Sequence, residues 1–234
     1  MQNLDSITTL AIDTSCDETS VAVVKGSTIL SSIMPSQMEY HKKFGGVVPS
    51  LAKLAHSQRI DNVVNQALKK AGLTIKQIDT VSVTYGPGLA IALEVGLKKA
   101  KQLAAEFSKP LLAINHMEGH LLSALALPNS KEQKNINVQF PALGFLISGG
   151  HTEIIYVEEF GKYKKIGETV DDSCGEAYDK CGRILGFGYP AGPIITKFAK
   201  ENRKNYSFKI IKDNLSVKVQ TTNKESGSVY ELPV

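Results

Sequence analysis

The residues best suited to chemistry are two histidines in the run His116-Met-Glu-Gly-His120. One helical turn separates them, so both imidazoles face one side of a helix and can converge on one cation. Glu118 follows His116 by two residues rather than one and points elsewhere around the helix, unlike the His-Glu-x-x-His of zinc proteases. By spacing alone, the pair also fits two hydrogen-bonded helix histidines. Two polar turns add to it. The first, Asp13-Thr-Ser-Cys-Asp-Glu-Thr19, and the second, Ser148-Gly-Gly-His-Thr152, each lie between apolar strand-like runs. Small residues at such turns leave backbone N–H groups free to cradle phosphate. The glycines of the second also suit a plain tight turn. Asp13, Asp17 and Glu18 can orient a metal-bound water or polarise an acceptor amine, or simply form the turn. A metal seat with phosphate seats points to chemistry on a nucleotide.

These residues need elements to hold them. Residues 10–13, 21–24 and 29–34 read as three consecutive strands, and 40–48 as a Gly-containing loop. Apolar periodicity predicts helices over 50–71, stopped by Gly72, and over 90–107, ended before Pro110. Strands are expected at 80–84 and 111–114, with the histidine helix over 116–127 and a polar linker over 129–139. The pattern then restarts, with strands at 142–147, 154–157 and 163–169 and helices at 175–185 and 194–202. Residues 206–219 alternate enough for a strand or two, and 220–228 read as a loop. Strands followed by helices thus occur twice, which predicts an α/β chain with a first subdomain over 1–135 and a second over 136–234.

Composition sets wider bounds. With 234 residues and 42% hydrophobic content, the chain can bury real cores. A net charge of +4 permits a nucleic-acid partner without requiring one. No apolar run is long enough to span a bilayer, and the N-terminus lacks a signal-peptide pattern, so a cytoplasmic location is expected. Cys16, Cys174 and Cys181 lack metal or redox spacing and read as free thiols. Lys98, Lys99 and Lys101, and Lys162, Lys164 and Lys165, read as solvated faces or as contacts to nucleic-acid phosphates.

Nine motifs in order carry a resemblance over residues 8–202: Ala11-Ile-Asp-Thr-Ser-Cys-Asp-Glu-Thr-Ser20, Phe44-Gly-Gly-Val-Val-Pro-Ser50, Ala55-His56, Thr84-Tyr-Gly-Pro-Gly-Leu89, His116-Met-Glu-Gly-His120, Leu146-Ile-Ser-Gly-Gly-His-Thr152, Gly167-Glu-Thr-Val-Asp-Asp172, Gly175-Glu-Ala-Tyr-Asp-Lys180 and Tyr189-Pro-Ala-Gly-Pro193. The chain resembles the TsaD (YgjD/Gcp/Kae) family. The resemblance implies a duplicated actin-like, sugar-kinase and heat-shock-ATPase (ribonuclease-H-like) fold. It also implies transfer of threonylcarbamoyl from threonylcarbamoyl-AMP to N6 of adenosine 37 of tRNA. His116 and His120 would hold one divalent ion, Fe2+ or Zn2+. Leu146, Ile147, Ser148, Gly149 and Gly150 would hold the adenylate phosphate, with the Ser148 hydroxyl donating. Asp179 and Gly192 would hold its ribose. Ala191 stands where the family has a first glycine, which narrows the space by one methyl. Partners implied are tRNA, a paralogous TsaB-like protein and an ATPase.

Family members run on for about another hundred residues, which supply an Asp as third metal ligand. The second subdomain is therefore expected to be incomplete, and the chain truncated. Two other classes compete. A TsaB-like noncatalytic scaffold has this length but lacks the His-x-x-x-His. A small-molecule kinase of the same superfold needs a catalytic Asp for which there is no separate sign. For assembly, the stripe Ala92, Val95, Gly96, Ala100, Leu103, Ala104 and Phe107 either meets a partner or covers its own sheet.

Overall fold

A computed structural model describes residues 6–128, 138–212 and 217–233. The chain divides into two compact units, residues 1–174 and 175–234. Most of the linker expected at 129–139 lies outside the described residues.

The first unit is built on a six-stranded sheet in the order β5-β4-β1-β2-β3-β6. Strands β1 (Thr8–Asp13), β2 (Ser20–Lys25) and β3 (Thr28–Ile33) form an antiparallel meander. Strands β4 (Thr80–Gly86) and β5 (Leu111–Asn115) add in parallel on the β1 side. This is the ribonuclease-H-like order expected for an actin-type half. Strand β4 is buried on both faces, Val81, Ser82, Val83 and Thr84 alike, whereas β5 lies at the sheet edge with Leu111 and Leu112 exposed. Leu10, Ile12, Val81 and Val83 are all buried, and Ile60, Val63, Val64 and Ala67 of helix α2 pack on them.

Helix α2 (Pro49–Ala71) starts with proline at its first position and stops at Gly72 in the left-handed conformation, φ 70°. Helix α3 (Ala90–Glu106) buries Ala92, Leu93, Gly96, Ala100 and Leu103. Val95 and Phe107 join the core as well. Most of the small-residue stripe is therefore used within the chain's own core. It admits the first polar turn closely. Thr14 Oγ1 donates to Ala92 O (2.8 Å) and accepts from Gly96 N (3.1 Å), while Leu89 N donates to Ser15 O (2.7 Å).

Four differences from expectation stand out. Residues 40–48 are not all loop, because a short helix, α1 (Met38–Lys42), enters them. The histidine helix α4 (His116–Ser123) ends early. Leu127–Pro128 instead form β6, which pairs with β3 while Leu127 N donates to Ser27 O at 2.8 Å. Part of the expected loop at 220–228 belongs to a strand, β11 below. The fourth is an added strand, β12.

A second sheet in the same unit, β7 (Ala142–Ile147), β8 (Thr152–Glu159) and β9 (Lys162–Glu168), repeats the antiparallel meander. Leu146, Ile155 and Val157 of one face pack with Met117 and Leu121 of α4. Leu143, Phe145, Ile147, Ile154 and Tyr156 on the other face are exposed.

In the second unit, α5 (Cys174–Ile184) and α6 (Gly192–Asn202) precede an antiparallel sheet β10 (Tyr206–Lys212), β11 (Val217–Asn223) and β12 (Val229–Pro233). Strand β10 and the start of β11 fall in the expected strand stretch 206–219, and β11 runs on through Gln220-Thr-Thr-Asn223, whose polar residues carry no apolar signal.

A buried polar cluster ties α1 and α2 to the first turn. His56, His41 and Gln37 are fully buried. His56 Nε2 donates to Cys16 O (3.0 Å), since a carbonyl only accepts. Its Nδ1 then accepts from Thr19 Oγ1 (2.8 Å) and Gln37 Nε2 (3.2 Å). The neutral ring is fully satisfied. Burial pushes its pKa below the ordinary value, against the opposing Cys16 carbonyl and the Asp13 and Asp17 carboxylates, while Arg59 adds to the lowering. The folded chain binds this proton less readily than the unfolded one. His56 therefore stabilises fully above the ordinary histidine pKa of about 6.5, and that stability is lost as pH falls below it. Denaturant titrations of the wild type at pH 7.5 and 5.5 should differ, and by less in His56→Gln. Equal pH slopes for the two proteins would remove His56 as the cause.

Candidate functional site

Strands β1, β4 and β5 run parallel, and their carboxyl ends meet at Asp13, Thr84 and Asn115. Ligands in α/β sheets bind at this end. Asn115 caps α4, its side-chain oxygen accepting from Met117 N (2.9 Å) and Glu118 N (3.3 Å). The cap sets His116 as the first residue of the helix, and the helical repeat brings His120 over it.

The two rings meet edge to face with centroids 4.4 Å apart. His116 Nε2 and His120 Nε2 are 3.0 Å apart. Two nitrogens at that separation, each about 2.0–2.1 Å from a zinc ion, would subtend an angle of about 90–95°. The pair therefore fits two ligands of one cation. Burial lowers the pKa of His120, and the neighbouring His116 lowers it further, which favours the neutral ring that metal binding needs. His151 stands nearby, its ring centroid 6.3 Å from that of His116. Among the described residues, no group of three His, Cys, Asp or Glu side chains is placed to hold a metal.

The environments of Asp13 and Glu18 differ. Burial pushes the Asp13 carboxyl up, but hydrogen bonds from His116, Ser15 and Thr84 overcome it and hold the group well below the usual carboxylate range. Glu18 moves the other way, raised by burial and by the charges of Asp17 and Asp13. Carboxylates driven apart in this way take separate roles. Cys16 is exposed, yet desolvation of its sulfur together with Asp17 and Glu18 pushes its thiol up to about 12, so it is no thiolate at neutral pH.

The Ser148–His151 turn differs from expectation in its donors. Ser148 Oγ accepts from His151 N (3.0 Å) and Gly150 N (3.4 Å), and lies 3.3 Å from His151 O as donor. The hydroxyl and two backbone N–H groups thus serve the turn itself. Ser173 Oγ donates to Gly149 O at 2.7 Å and steadies it. Neither Gly149 nor Gly150 has positive φ, and a Cβ at either would meet nothing within 4 Å. The fold therefore requires glycine at neither position, and the backbone of both is open on the side where a Cβ would stand. Leu146 is buried in the core and Ile147 is exposed.

In the second unit, Asp179 Oδ1 accepts from Ala191 N at 2.8 Å, linking α5 to the start of α6. The Ala191 methyl is accommodated by Gly182, where a Cβ would lie 2.0 Å from it. Gly192 has ordinary room, its nearest neighbour being Tyr178 Cβ at 3.9 Å.

Four of the six lysines in the two clusters are paired. Lys98 meets Glu94 (2.8 Å), Lys99 meets Asp61 (2.7 Å), Lys162 meets Glu159 (2.5 Å), and Lys165 contacts Glu168 and Glu153. This suits a solvated face. Thr84 and Asn115 are functional neighbours that sequence reading left without a role, although Thr84 opens one of the nine motifs. No helix is long and apolar enough to cross a membrane among the described residues.

The family model described as "TsaD: tRNA N6-adenosine threonylcarbamoyltransferase" matches residues 28–224. Relatives named tRNA N6-adenosine threonylcarbamoyltransferase from Streptococcus gordonii and Streptococcus sanguinis are each 49% identical over 210 residues, covering 88% of this chain and 60% of the relative. The chain thus spans about 60% of the length of the curated relatives it matches. Among solved structures, the ethanolamine utilization protein EutJ from Carboxydothermus hydrogenoformans aligns with 83% of this chain and 63% of its own, at 14% identity and a TM-score of 0.48. With its motifs in order and the family match over most of its length, the chain belongs to the TsaD family.

Proposed function

We propose that this chain transfers the threonylcarbamoyl group from threonylcarbamoyl-AMP to N6 of adenosine 37, in tRNAs reading codons that begin with A. The observation that carries the reading is the His116–His120 pair, whose Nε2 atoms lie 3.0 Å apart at the carboxyl ends of parallel strands in a TsaD-family chain. His116 and His120 would hold one Fe2+ or Zn2+, with an Asp outside this chain as third ligand. The bound ion would supply Lewis-acid polarisation of the carbamoyl carbonyl.

The chain's own residues do the rest. The backbone at Gly149 and Gly150 admits the adenylate phosphate at close range. Asp179 and Gly192 take the ribose on the family resemblance. N6 attacks the carbonyl carbon, the bond from that carbon to the phosphate oxygen breaks, and AMP leaves. Asp13 is committed to His116, and of the two other carboxylates of the turn, Asp17 and Glu18, it is Glu18, raised by burial, that is suited to accept the N6 proton. An exocyclic amine is a weak nucleophile, and positioning carries much of the rate. The reading includes a TsaB-like partner and an ATPase, work in the cytoplasm, and a boundary between actin-like halves near 135/136.

The test is reconstitution with tRNA, threonylcarbamoyl-AMP and both partner proteins, with the modified nucleoside read by mass spectrometry. The wild type should form product, but far less than a full-length relative, because this chain spans about 60% of such relatives and the third metal ligand lies outside it. Gly149→Ala should lose at least about tenfold of it, yet keep its stability within about 0.5 kcal/mol of the wild type, because its Cβ meets nothing. No product from the wild type would overturn the activity. Undiminished product from the variant would remove the turn from the site.

A further inference from the structure

We propose that Asp13 is the positioning residue of the metal site: it holds His116 by Nδ1 and so fixes the Nε2 lone pair toward the cation. This rests on the metal reading above and deepens it. The two residues are 103 positions apart, and only the β1–β4–β5 pairing brings them together. Four donors converge on the carboxylate. Ser15 N (2.8 Å) and Ser15 Oγ (2.6 Å) reach Oδ1. Thr84 Oγ1 (2.5 Å) and His116 Nδ1 (3.1 Å) reach Oδ2.

Both oxygens are thus acceptors, and a carboxylate oxygen facing Nδ1 requires Nδ1 to carry the hydrogen. The remaining nitrogen, Nε2, then presents a lone pair, and it is the one that faces His120 Nε2. A carboxylate behind a ligating histidine fixes its tautomer and ring direction and raises its basicity. The Ser15 and Thr84 bonds in turn hold the carboxylate on the strand ends, so the orientation of His116 is inherited from the sheet. No other acceptor takes His116 Nδ1 among the described residues.

An amide at position 13 cannot reproduce this. Its NH2 would face either the Ser15 N–H or the pair formed by Thr84 and His116. Asp13→Asn therefore tests the anchor through two readouts. The first is the tautomer of His116 in the metal-free chain, from long-range 1H–15N correlation on histidine-labelled protein, with the signal assigned by its loss in His116→Gln. The wild type should carry the hydrogen on Nδ1, and Asp13→Asn should shift the ring toward the Nε2–H form. The second is zinc affinity by calorimetry, which should fall about 10–100-fold in Asp13→Asn with the circular dichroism of the fold retained. An Nε2–H ring in the wild type overturns the proposal even if the variant fails to fold. Wild-type zinc affinity in a folded Asp13→Asn overturns it too. A wild type that binds no zinc yet shows the Nδ1–H form would overturn the metal reading while leaving the Asp13 anchor standing.

Discussion

Replacing both His116 and His120 with alanine is expected to weaken zinc or iron binding at least about a hundredfold, since outer-shell partners alone carry 10–100-fold. The expectation follows from two Nε2 atoms 3.0 Å apart on a capped helix. Either single substitution leaves one imidazole and should give most of the loss, because one histidine does not make a chelate. Binding should also weaken as pH falls and protons compete for the rings. The lowered pKa of His120 moves its share of that competition to more acid pH than an ordinary histidine would show. Calorimetry of the metal-free chain at two pH values measures both effects. An unchanged affinity in the double variant would place the ion elsewhere.

The second large effect is on stability, and one substitution made at two glycines should give opposite signs. Gly96 and Gly119 both lie within helices. Alanine in place of glycine is ordinarily favourable there by about 1 kcal/mol. At Gly119 a Cβ meets nothing within 4 Å, so Gly119→Ala should gain about that amount. At Gly96 it would lie 2.5 Å from Thr14 Oγ1, an atom already held by Ala92 O and Gly96 N. Thr14 is buried and has nowhere to turn. Overpacking at about 1–3 kcal/mol, with a strained buried hydrogen bond in addition, outweighs the helix term, and Gly96→Ala should lose about 1–2 kcal/mol net. Urea titrations of both variants decide it. Adding Thr14→Ala to Gly96→Ala should cost less than the sum of the single changes, since removing the side chain removes the clash.

The parts of the fold legible in the sequence are those with strong periodicity and clear stops. Helices α2 and α3 and strands β1 to β5 belong to this group, marked by Gly72, Pro110 and continuous apolar runs. Helix α1 was hidden because Gly45 and Gly46 dominate its neighbourhood and only five residues are helical. The end of β11 was hidden because Gln220, Thr221, Thr222 and Asn223 carry no apolar residue, and β12 because it is only five residues long and ends in proline. At the site, the histidine pair was visible because its spacing is local. The Asp13–Thr84–His116 contacts were not, because they cross 71 and 103 residues and exist only once the strands have paired. The Ser148 hydroxyl was expected to face a ligand, and instead closes its own turn. Residue types permit either outcome, and the turn geometry decides between them.

Helix α4 is a lever with two working sides. One side presents His116 and His120, and the other lays Met117 and Leu121 on the small sheet. The seating there is tight, for a Cβ on Gly144 would fall 2.1 Å from Leu121 Cδ1. A methyl added at Gly144 touches neither histidine and no ligand, yet it displaces the end of the Leu121 side chain and so presses on the seat of the helix. The Asp13 tether meanwhile pins the first residue of that helix to the large sheet. Such a push would tilt the helix about its anchored end and swing His120 away from His116. The spacing of the two nitrogens is therefore set by how two sheets grip opposite sides of eight residues, and metal affinity becomes a gauge of packing on the side that never meets the metal.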